Sequence, residues 1–263
     1  MGKFVLKNLE KTFENLDDNN TLFKNINLEI LDNKITVILG KSGCGKTTLL
    51  RIIAGLEKIS SGEIKYFDDT GREIEDFKIG FVFQESRLMP WLTVSENIKI
   101  HDLENKITSS EIDNLLDLVS LKNCKNLLPS ALSGGMSNRV AILRALAYKP
   151  DILLMDEPFS ALDYFTRKNL QQTLINIFKS TKKGIIFVTH DIDEAITLAD
   201  RIIVISDKKF TTFDISNPQP KDIDKTEYLT LKKEIKNLLL FYLLFWEFSL
   251  VAQKRKKRNF QKF

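Results

Sequence analysis

The sequence predicts an α/β protein whose parallel sheet is covered by helices on both faces. Short apolar runs rich in β-branched residues recur along the chain, with helical patterns between them, at residues 35–39, 151–155, 185–189 and 202–206. Strands that alternate with helices are typical of a parallel sheet. Hydrophobic residues make up 43% of the 263-residue chain, which is enough for a sizeable core. We find no internal repeat and no linker between domains.

Two further strands are predicted near the N-terminus, before the parallel sheet begins. Residues 3–9 and 21–30 are apolar runs separated by the polar turn Asp17-Asp18-Asn19-Asn20. The buried run at 35–39 is followed by a glycine-rich loop and by a helical pattern from Thr47 to Leu56. A strand, a glycine-rich loop and a helix in this order form the context in which phosphate-binding loops occur.

Residues 86–147 differ from the rest of the chain because strand-like runs disappear and helical patterns dominate. The segment that starts at Ser110 carries apolar residues at 112, 115, 116 and 119, which lie on one face of a helix. Another helix is expected from Val140 to Ala147, ending near Pro150. We therefore expect a helical insertion in the α/β core.

The glycine-rich loop at residues 40–47 reads Gly-Lys-Ser-Gly-Cys-Gly-Lys-Thr and matches the phosphate-binding pattern in full. Its glycines let backbone N–H groups face the phosphates, and the next helix adds the positive end of its dipole. Lys46 would contact the β- and γ-phosphates, and the Thr47 hydroxyl would ligate Mg²⁺. A chance glycine-rich turn is the alternative, and the flanking strand and helix argue against it. The predicted nucleotide-binding residues here are Gly40, Lys41, Ser42, Gly43, Cys44, Gly45, Lys46, Thr47 and Thr48.

An acidic pair, Asp156-Glu157, follows the apolar run at 152–155. A buried strand delivers the side chains that follow it to the carboxyl edge of the sheet, where ligands bind in such folds. We expect Asp156 to hold Mg²⁺ through water and Glu157 to polarise the attacking water. Such a pair is often only a solvated turn, but the phosphate loop upstream favours the catalytic interpretation.

A third motif, Leu132-Ser133-Gly134-Gly135-Met136, lies between the phosphate loop and the acidic pair. Loop N–H groups, the Ser133 hydroxyl and the start of a helix expected near Ser137 would together form a second anion site. The three motifs in this order resemble the ATP-binding-cassette (ABC) ATPases. The resemblance implies a phosphate-loop core with a parallel sheet, an antiparallel N-terminal β subdomain and an inserted helical subdomain.

Three single residues match further positions of that family. Gln84 resembles the glutamine that contacts the metal and the attacking water, and His190 resembles the histidine that senses the γ-phosphate. Phe13 resembles the aromatic residue that stacks on adenine, although a core phenylalanine is a strong alternative in a chain with 18 of them. The resemblance therefore assigns catalysis to Glu157, His190 and Gln84, and the metal to Thr47, Gln84 and Asp156.

In the family, the residues Ser133, Gly134 and Gly135 bind the γ-phosphate of ATP held by a second subunit. Because this chain carries one phosphate loop and one such signature, the resemblance implies a homodimer arranged head to tail. The segment that ends at Asp163 matches the family's loop across the dimer interface. One departure is that Ser137-Asn138 stands where family members usually have Arg-Gln.

A longer segment, residues 85–98, looks like that of the nitrate, sulfonate and taurine importer subfamily. This resemblance implies an ATP-hydrolysing subunit at the cytoplasmic face of the membrane, bound to a separate integral membrane permease that docks near Pro90-Trp91. A periplasmic or lipid-anchored solute-binding protein would act indirectly. A soluble ABC ATPase that serves as a nucleotide switch is the alternative, whereas a small-molecule kinase would have no use for the Ser133 motif.

Charge and domain organisation complete the expectations. Six of the ten residues 254–263 are basic and none is acidic, so the formal charge of +4 falls to −2 without them, and no nucleic acid partner is expected. The ABC ATPase domain is expected over residues 1–237, with its insertion at about 86–147. A tail at 238–263 is apolar and then basic; it could lie at a membrane surface, pack on the body, or be a non-native remnant. Cys44 and Cys124 show no metal-ligand spacing, and Cys44 is expected to fill space.

Overall fold

The computed structural model describes residues 2–13, 21–104, 106–160, 162–215, 221 and 223–239. Within these ranges the strands and helices, in chain order, are β1 (Lys3–Thr12), β2 (Thr21–Leu31), β3 (Ile35–Gly40), α1 (Lys46–Ile53), β4 (Ser61–Phe67), β5 (Ile79–Val82), α2 (Val94–Ile98), α3 (Ser109–Leu118), α4 (Gly134–Ala147), β6 (Ile152–Asp156), α5 (Tyr164–Thr181), β7 (Gly184–Thr189), α6 (Ile192–Leu198), β8 (Arg201–Ser206) and β9 (Lys209–Asp214).

The N-terminal strands form an antiparallel sheet in the order β2-β1-β4. Phe4 in the central strand lies opposite Ile30 on one side and Tyr66 on the other. Phe4 and Ile30 are buried, so this sheet has its own apolar face. The predicted strands at 3–9 and 21–30 are confirmed, whereas β4 was not predicted because its residues are half-exposed and do not form an apolar run.

The larger sheet has the strand order β5-β6-β7-β3-β8-β9. Its first five strands are parallel, which confirms the predicted parallel sheet, although the short edge strand β5 was not predicted. The last strand, β9, runs antiparallel to β8 and was not predicted. It follows a two-residue turn in which Asp207 and Lys208 both have positive φ, the geometry of a tight hairpin. Because β9 is an exposed edge strand, it lacks the apolar signal of the buried strands.

Two apolar cores lie on opposite faces of the larger sheet, because side chains alternate in direction along each strand. Val37 and Leu39 belong to a core that includes α4, α5 and α6. Ile38, between them, belongs to a second core with α1 and the antiparallel sheet. Helices therefore cover one face of the parallel sheet, and α1 together with the smaller sheet covers the other.

The helical insertion is also observed: among the described residues 86–104 and 106–147, the regular elements are helical. Two of its helices begin with capping boxes, in which Thr93 pairs with Glu96 and Thr108 pairs with Glu111. The helix expected from Val140 begins earlier, at Gly134, because the Ser133 hydroxyl accepts the Met136 N–H and caps it.

The C-terminal part of the described chain packs on the body. Residues 226–239 are helical, and Tyr228 and Ile235 are buried in the core that includes α4, α5 and α6. Of the predicted tail at 238–263, Leu238 and Leu239 are described: the Leu238 carbonyl accepts the Ser206 hydroxyl at 3.0 Å. Residues 240–263 lie outside the described residues, so the tail stays a prediction. No helix within the described ranges is long and apolar enough to cross a membrane.

Candidate nucleotide-binding site

The phosphate loop connects the buried strand β3 to α1. Gly45 caps the helix with φ of 100°, in the left-handed region that favours glycine. A Cβ added there would lie 2.6 Å from the Phe23 ring, so the position also lacks room for a side chain. Gly55, with φ of 70°, ends the same helix before the predicted limit at Leu56.

Cys44 packs inside this loop. Its sulfur lies 2.5 Å from the position that a Cβ on Gly40 would occupy. Position 40 therefore has no room for a side chain while Cys44 fills the space beside it. Burial raises the pKa of the Cys44 thiol, with Lys46 opposing that effect. A raised pKa keeps the thiol protonated and weakly nucleophilic, in agreement with a space-filling role.

Lys46 is the first residue of α1 and is buried. Its Nζ donates to the Lys41 carbonyl at 3.0 Å and lies 3.3 Å from Glu157 Oε1. The ammonium group of Lys46 therefore lies between the Lys41 carbonyl of the loop and the Glu157 carboxylate. The lysine connects the phosphate loop to Glu157, the residue that follows β6.

Glu157 is held at the carboxyl edge of the sheet by contacts to Val188, His190 and Lys46. Its N–H donates to the Val188 carbonyl in β7 at 3.1 Å. Its second carboxylate oxygen, Oε2, lies 3.0 Å from Nδ1 of His190, the residue that follows β7. Its φ is 43°, an uncommon value for a residue other than glycine. Both carboxylate oxygens thus have a partner, Lys46 on one side and His190 on the other.

Asp156 and Thr47, two of the three residues predicted to bind the metal, contact each other. The Thr47 hydroxyl donates to Asp156 Oδ1 at 2.8 Å. Burial raises the pKa of Asp156, and the bond from Thr47 partly offsets this effect. A hydroxyl and a carboxylate supply the oxygen ligands that Mg²⁺ prefers. No group of three or more His, Cys, Asp or Glu within the described part of the chain could hold a metal.

A cavity of about 400 Å³ lies over the phosphate loop. Phe13, 38% exposed, lies at its wall, and Lys11 Nζ is 4.6 Å from the centre of the Phe13 ring. Gln84 also lines the cavity and donates from Nε2 to the Ser160 hydroxyl at 3.2 Å. Predicted site residues that share this cavity are Phe13, Ser42, Gly43, Gly45, Lys46, Thr47, Thr48, Gln84 and Glu157.

The signature residues and Asp163 do not line this cavity. Ser133 and Gly134 are exposed at the start of α4, and Gly135 packs against Thr166, whose Cγ2 lies 2.5 Å from a Cβ placed on that glycine. Asp163 caps α5 by accepting the N–H groups of Phe165 and Thr166. Within the described residues, these predicted site residues therefore do not share the cavity over their own chain's phosphate loop.

Polar contacts that sequence reasoning missed connect α4 to the site. The Arg144 guanidinium donates to the carbonyl oxygens of Ser86 and Arg87, at 2.8 Å and 2.7 Å, and so holds the segment that follows Gln84. Asn138 donates to the Pro158 carbonyl at 2.7 Å. Asn138 had been noted only as a departure from the family. In the sequence, the signal for both contacts is the presence of polar residues, Asn138 and Arg144, in the largely apolar helix α4.

A family model described as "ABC transporter" matches residues 23–160, just over half of the chain. The chain belongs to the ABC transporter ATP-binding family. The aliphatic sulfonates import ATP-binding protein of Bacillus cereus is 42% identical over 218 residues, which are 81% of this chain and 86% of that protein. The corresponding protein of Bacillus subtilis is 44% identical over 202 residues, 76% and 78% of the two chains.

Similar structures support the same conclusion. A dimeric ATP-binding cassette described in a post-hydrolysis state with ADP and Pi is 33% identical, with a TM-score of 0.68, and covers 82% of this chain and 100% of that one. A cassette from Clostridium perfringens, part of an ABC transporter complex, is 27% identical with a TM-score of 0.69, over 91% and 96% of the two chains. The resemblance, the fold class and the ATPase activity expected from the sequence are thereby confirmed.

The raised pKa of Asp156 predicts a pH-dependent stability change in the Asp156→Asn variant. Above the folded-state pKa, wild-type Asp156 carries a buried charge that disfavours folding, and asparagine removes it. We expect Asp156→Asn to raise the melting temperature of the nucleotide-free protein at pH 7.5 in EDTA. The gain should shrink as the pH falls through the folded-state pKa, because the wild-type carboxyl then becomes neutral.

Asp68→Asn is the matched control, because its carboxylate accepts bonds from Thr70 and from the Arg72 N–H, which lower its pKa. Asp68 therefore stabilises the fold above its unfolded-state pKa, and its replacement should not raise the melting temperature at pH 7.5. Thermal unfolding at several pH values measures both variants. A gain for Asp156→Asn that is independent of pH, or a loss at pH 7.5, would contradict the burial argument.

Proposed function

We propose that this chain is the ATP-hydrolysing subunit of an importer for a small anion, with aliphatic sulfonates as the favoured class and nitrate or taurine as relatives of it. Two copies would bind ATP head to tail and drive a separate membrane permease. The main support for ATP hydrolysis is the position of Glu157. Its carboxylate contacts Lys46 and His190, and the residue lines the cavity over the phosphate loop.

Binding of ATP would rearrange the ion pair that the structure contains. Lys46 lies 3.3 Å from Glu157, and a γ-phosphate in the cavity would compete for the same ammonium group. Once Lys46 turns to the phosphate, Glu157 is free to accept a proton from the attacking water. His190 keeps the carboxylate oriented through Nδ1, at 3.0 Å. The strained backbone at Glu157 supports this interpretation, because such strain concentrates at functional sites.

The remaining cavity residues have roles in holding the nucleotide. Phe13 would stack on adenine, with Lys11 on the ring and part of the ring exposed to the cavity. Thr47 and Asp156 would hold Mg²⁺, with Gln84 nearby. The ion would neutralise charge on the phosphates during transfer. The loop N–H groups and the α1 N-terminus would bind the phosphate oxygens.

A second copy would complete each site. Ser133 and Gly134 lie exposed at the N-terminus of α4, a 14-residue helix whose dipole favours an anion there, yet they do not line their own chain's cavity. Asp163 is likewise exposed and outside that cavity. These positions suit the γ-phosphate of ATP bound by a second copy. The dimeric cassette that this chain resembles supports a two-chain arrangement.

An exposed apolar surface in the helical insertion suits a permease. Trp91 is 72% exposed, and Leu127 and Leu128 are also exposed. The Val94 N–H donates to the Leu127 carbonyl at 2.9 Å, so these leucines lie near the Trp91 segment. Large exposed apolar residues that cluster are typical of interaction sites. The import proteins among its relatives support a membrane partner. A position at the cytoplasmic face and an indirect role for a solute-binding protein are further parts of the proposal.

The Glu157→Gln variant tests the proposed chemistry. We expect ATP binding to persist and kcat to fall at least about 100-fold, because glutamine cannot accept the proton. The bound ATP should also hold two copies together, which size-exclusion chromatography with Mg²⁺ and ATP measures. Lys46→Ala should instead weaken ATP binding itself. Turnover near the wild-type value in Glu157→Gln would overturn the assignment of the base.

Copurification tests the transport role and separates it from a soluble nucleotide switch. The chain is expressed together with any integral membrane protein that is encoded beside its gene. We expect a stable complex. Its ATPase activity in vesicles should rise several-fold when an alkanesulfonate is bound to the solute-binding protein, roughly in proportion to the fraction of that protein that holds the solute. Trp91→Ala should weaken the complex, whereas Leu229→Ala, another exposed apolar residue, should not. A chain that binds no membrane protein and hydrolyses ATP fully alone would support the switch.

A further inference from the structure

A side chain of α4 holds the backbone directly after Glu157. The Asn138 amide, in the second turn of that helix, donates from Nδ2 to the Pro158 carbonyl at 2.7 Å. Pro158 is buried and Asn138 is half-buried, so water has limited access to this bond. A short hydrogen bond in such surroundings contributes more than one at the surface.

The backbone at Glu157 has a conformation that needs support from neighbouring contacts. Its φ of 43° is unfavourable for a residue with a side chain, so the surrounding contacts must hold it there. The Glu157 N–H is bound to Val188 in β7, and the Glu157 carbonyl accepts the Ser160 N–H at 3.2 Å. Pro158 has no N–H to donate. The Pro158 carbonyl is therefore the backbone group through which α4 can hold Pro158 in place.

Packing of α4 itself does not require a polar anchor at this position. Val140, Ile142 and Leu143 are fully buried, so apolar contacts already fix the helix in the core. The Asn138 bond fixes the orientation of the peptide between Glu157 and Phe159. The Phe159 ring packs 5.2 Å from that of Phe187. The bond thus acts on the segment after β6 rather than on the helix.

We propose that Asn138 is a positioning residue for ATP hydrolysis, which it serves by holding Pro158 so that the Glu157 carboxylate lies between Lys46 and His190. The proposal rests on the proposed function, in which Glu157 accepts the proton from water. The helix that carries Asn138 begins at the Ser133 motif. A single rigid element therefore links the residues proposed to contact a second copy's ATP with the carboxylate of its own site.

Substitutions at Asn138 test this role by changing the donor with little change in volume. Asn138→Asp replaces the N–H donor by a carboxylate that repels the Pro158 carbonyl, and it should lower kcat about tenfold, or about 1.4 kcal/mol in activation free energy. The KM for ATP should change by less than about twofold, because the phosphate loop is untouched. Asn138→Gln keeps the amide donor, and its kcat should stay within about threefold of the wild-type value.

A second comparison measures whether Asn138 acts through Glu157. In single-turnover hydrolysis, Asn138→Asp should cause no further loss in a Glu157→Gln background, since the group that it positions is already gone. Asn114→Asp, at an exposed position of α3, is the matched control and should leave kcat unchanged. Binding of a fluorescent ATP analogue and the melting temperature are recorded for every variant.

The outcomes separate this proposal from the proposed function. Normal turnover in Glu157→Gln would overturn the proposed chemistry. A large loss in Glu157→Gln together with wild-type kcat in Asn138→Asp would overturn the positioning role alone. Equal, additive losses of kcat from Asn138→Asp in the wild-type and Glu157→Gln backgrounds would also overturn the positioning role. So would weaker ATP binding or unfolding that occurs in both Asn138→Asp and Asn138→Gln.

Discussion

The ion pair between Lys46 and Glu157 lies where β3, β6 and β7 end, and the other groups of the site are arranged around it. Its Nζ and Oε1 atoms are 3.3 Å apart, and the lysine side chain is 4% exposed. Burial strengthens their attraction because the local dielectric is lower than that of water. Loss of either partner would leave the other charge buried and unpaired, which is costly. Under the proposed function, a phosphate would replace the carboxylate as the partner of Lys46 when ATP binds.

The strand order makes this pair possible. In the order β6-β7-β3, three neighbouring parallel strands end at one edge, so the residues that follow them meet although they are far apart in sequence. Cores on both faces of the sheet hold these strands in register. Gly184 at the start of β7 shows how close the packing is, since an added Cβ would lie 2.2 Å from the Asp32 carbonyl oxygen. Helix α4, which belongs to the helical insertion, contacts the segment after β6 through Asn138 and the segment after Gln84 through Arg144.

The sequence predicts the buried parts of this fold and misses the exposed ones, for a physical reason. Strands β3, β6 and β7 are buried on both faces, so each is a continuous apolar run. The half-exposed β4 and the edge strand β9 mix polar and apolar residues and resemble loops. Lys46, Thr47 and Glu157 were predicted because their motifs are local. The Asn138 contact joins residues 20 positions apart and depends on how α4 packs, which no local pattern encodes.

Mixing two inactive variants tests most directly the claim that each site is built from two copies. A heterodimer of Lys46→Ala and Ser133→Arg chains has one doubly damaged site and one intact site. We expect such mixtures to recover up to about half of the wild-type hydrolysis per heterodimer, if sites act independently. A mixture of Lys46→Ala and Glu157→Gln chains damages both sites and should recover none. Hydrolysis that stays at the level of the single variants in verified Lys46→Ala and Ser133→Arg heterodimers would contradict the account.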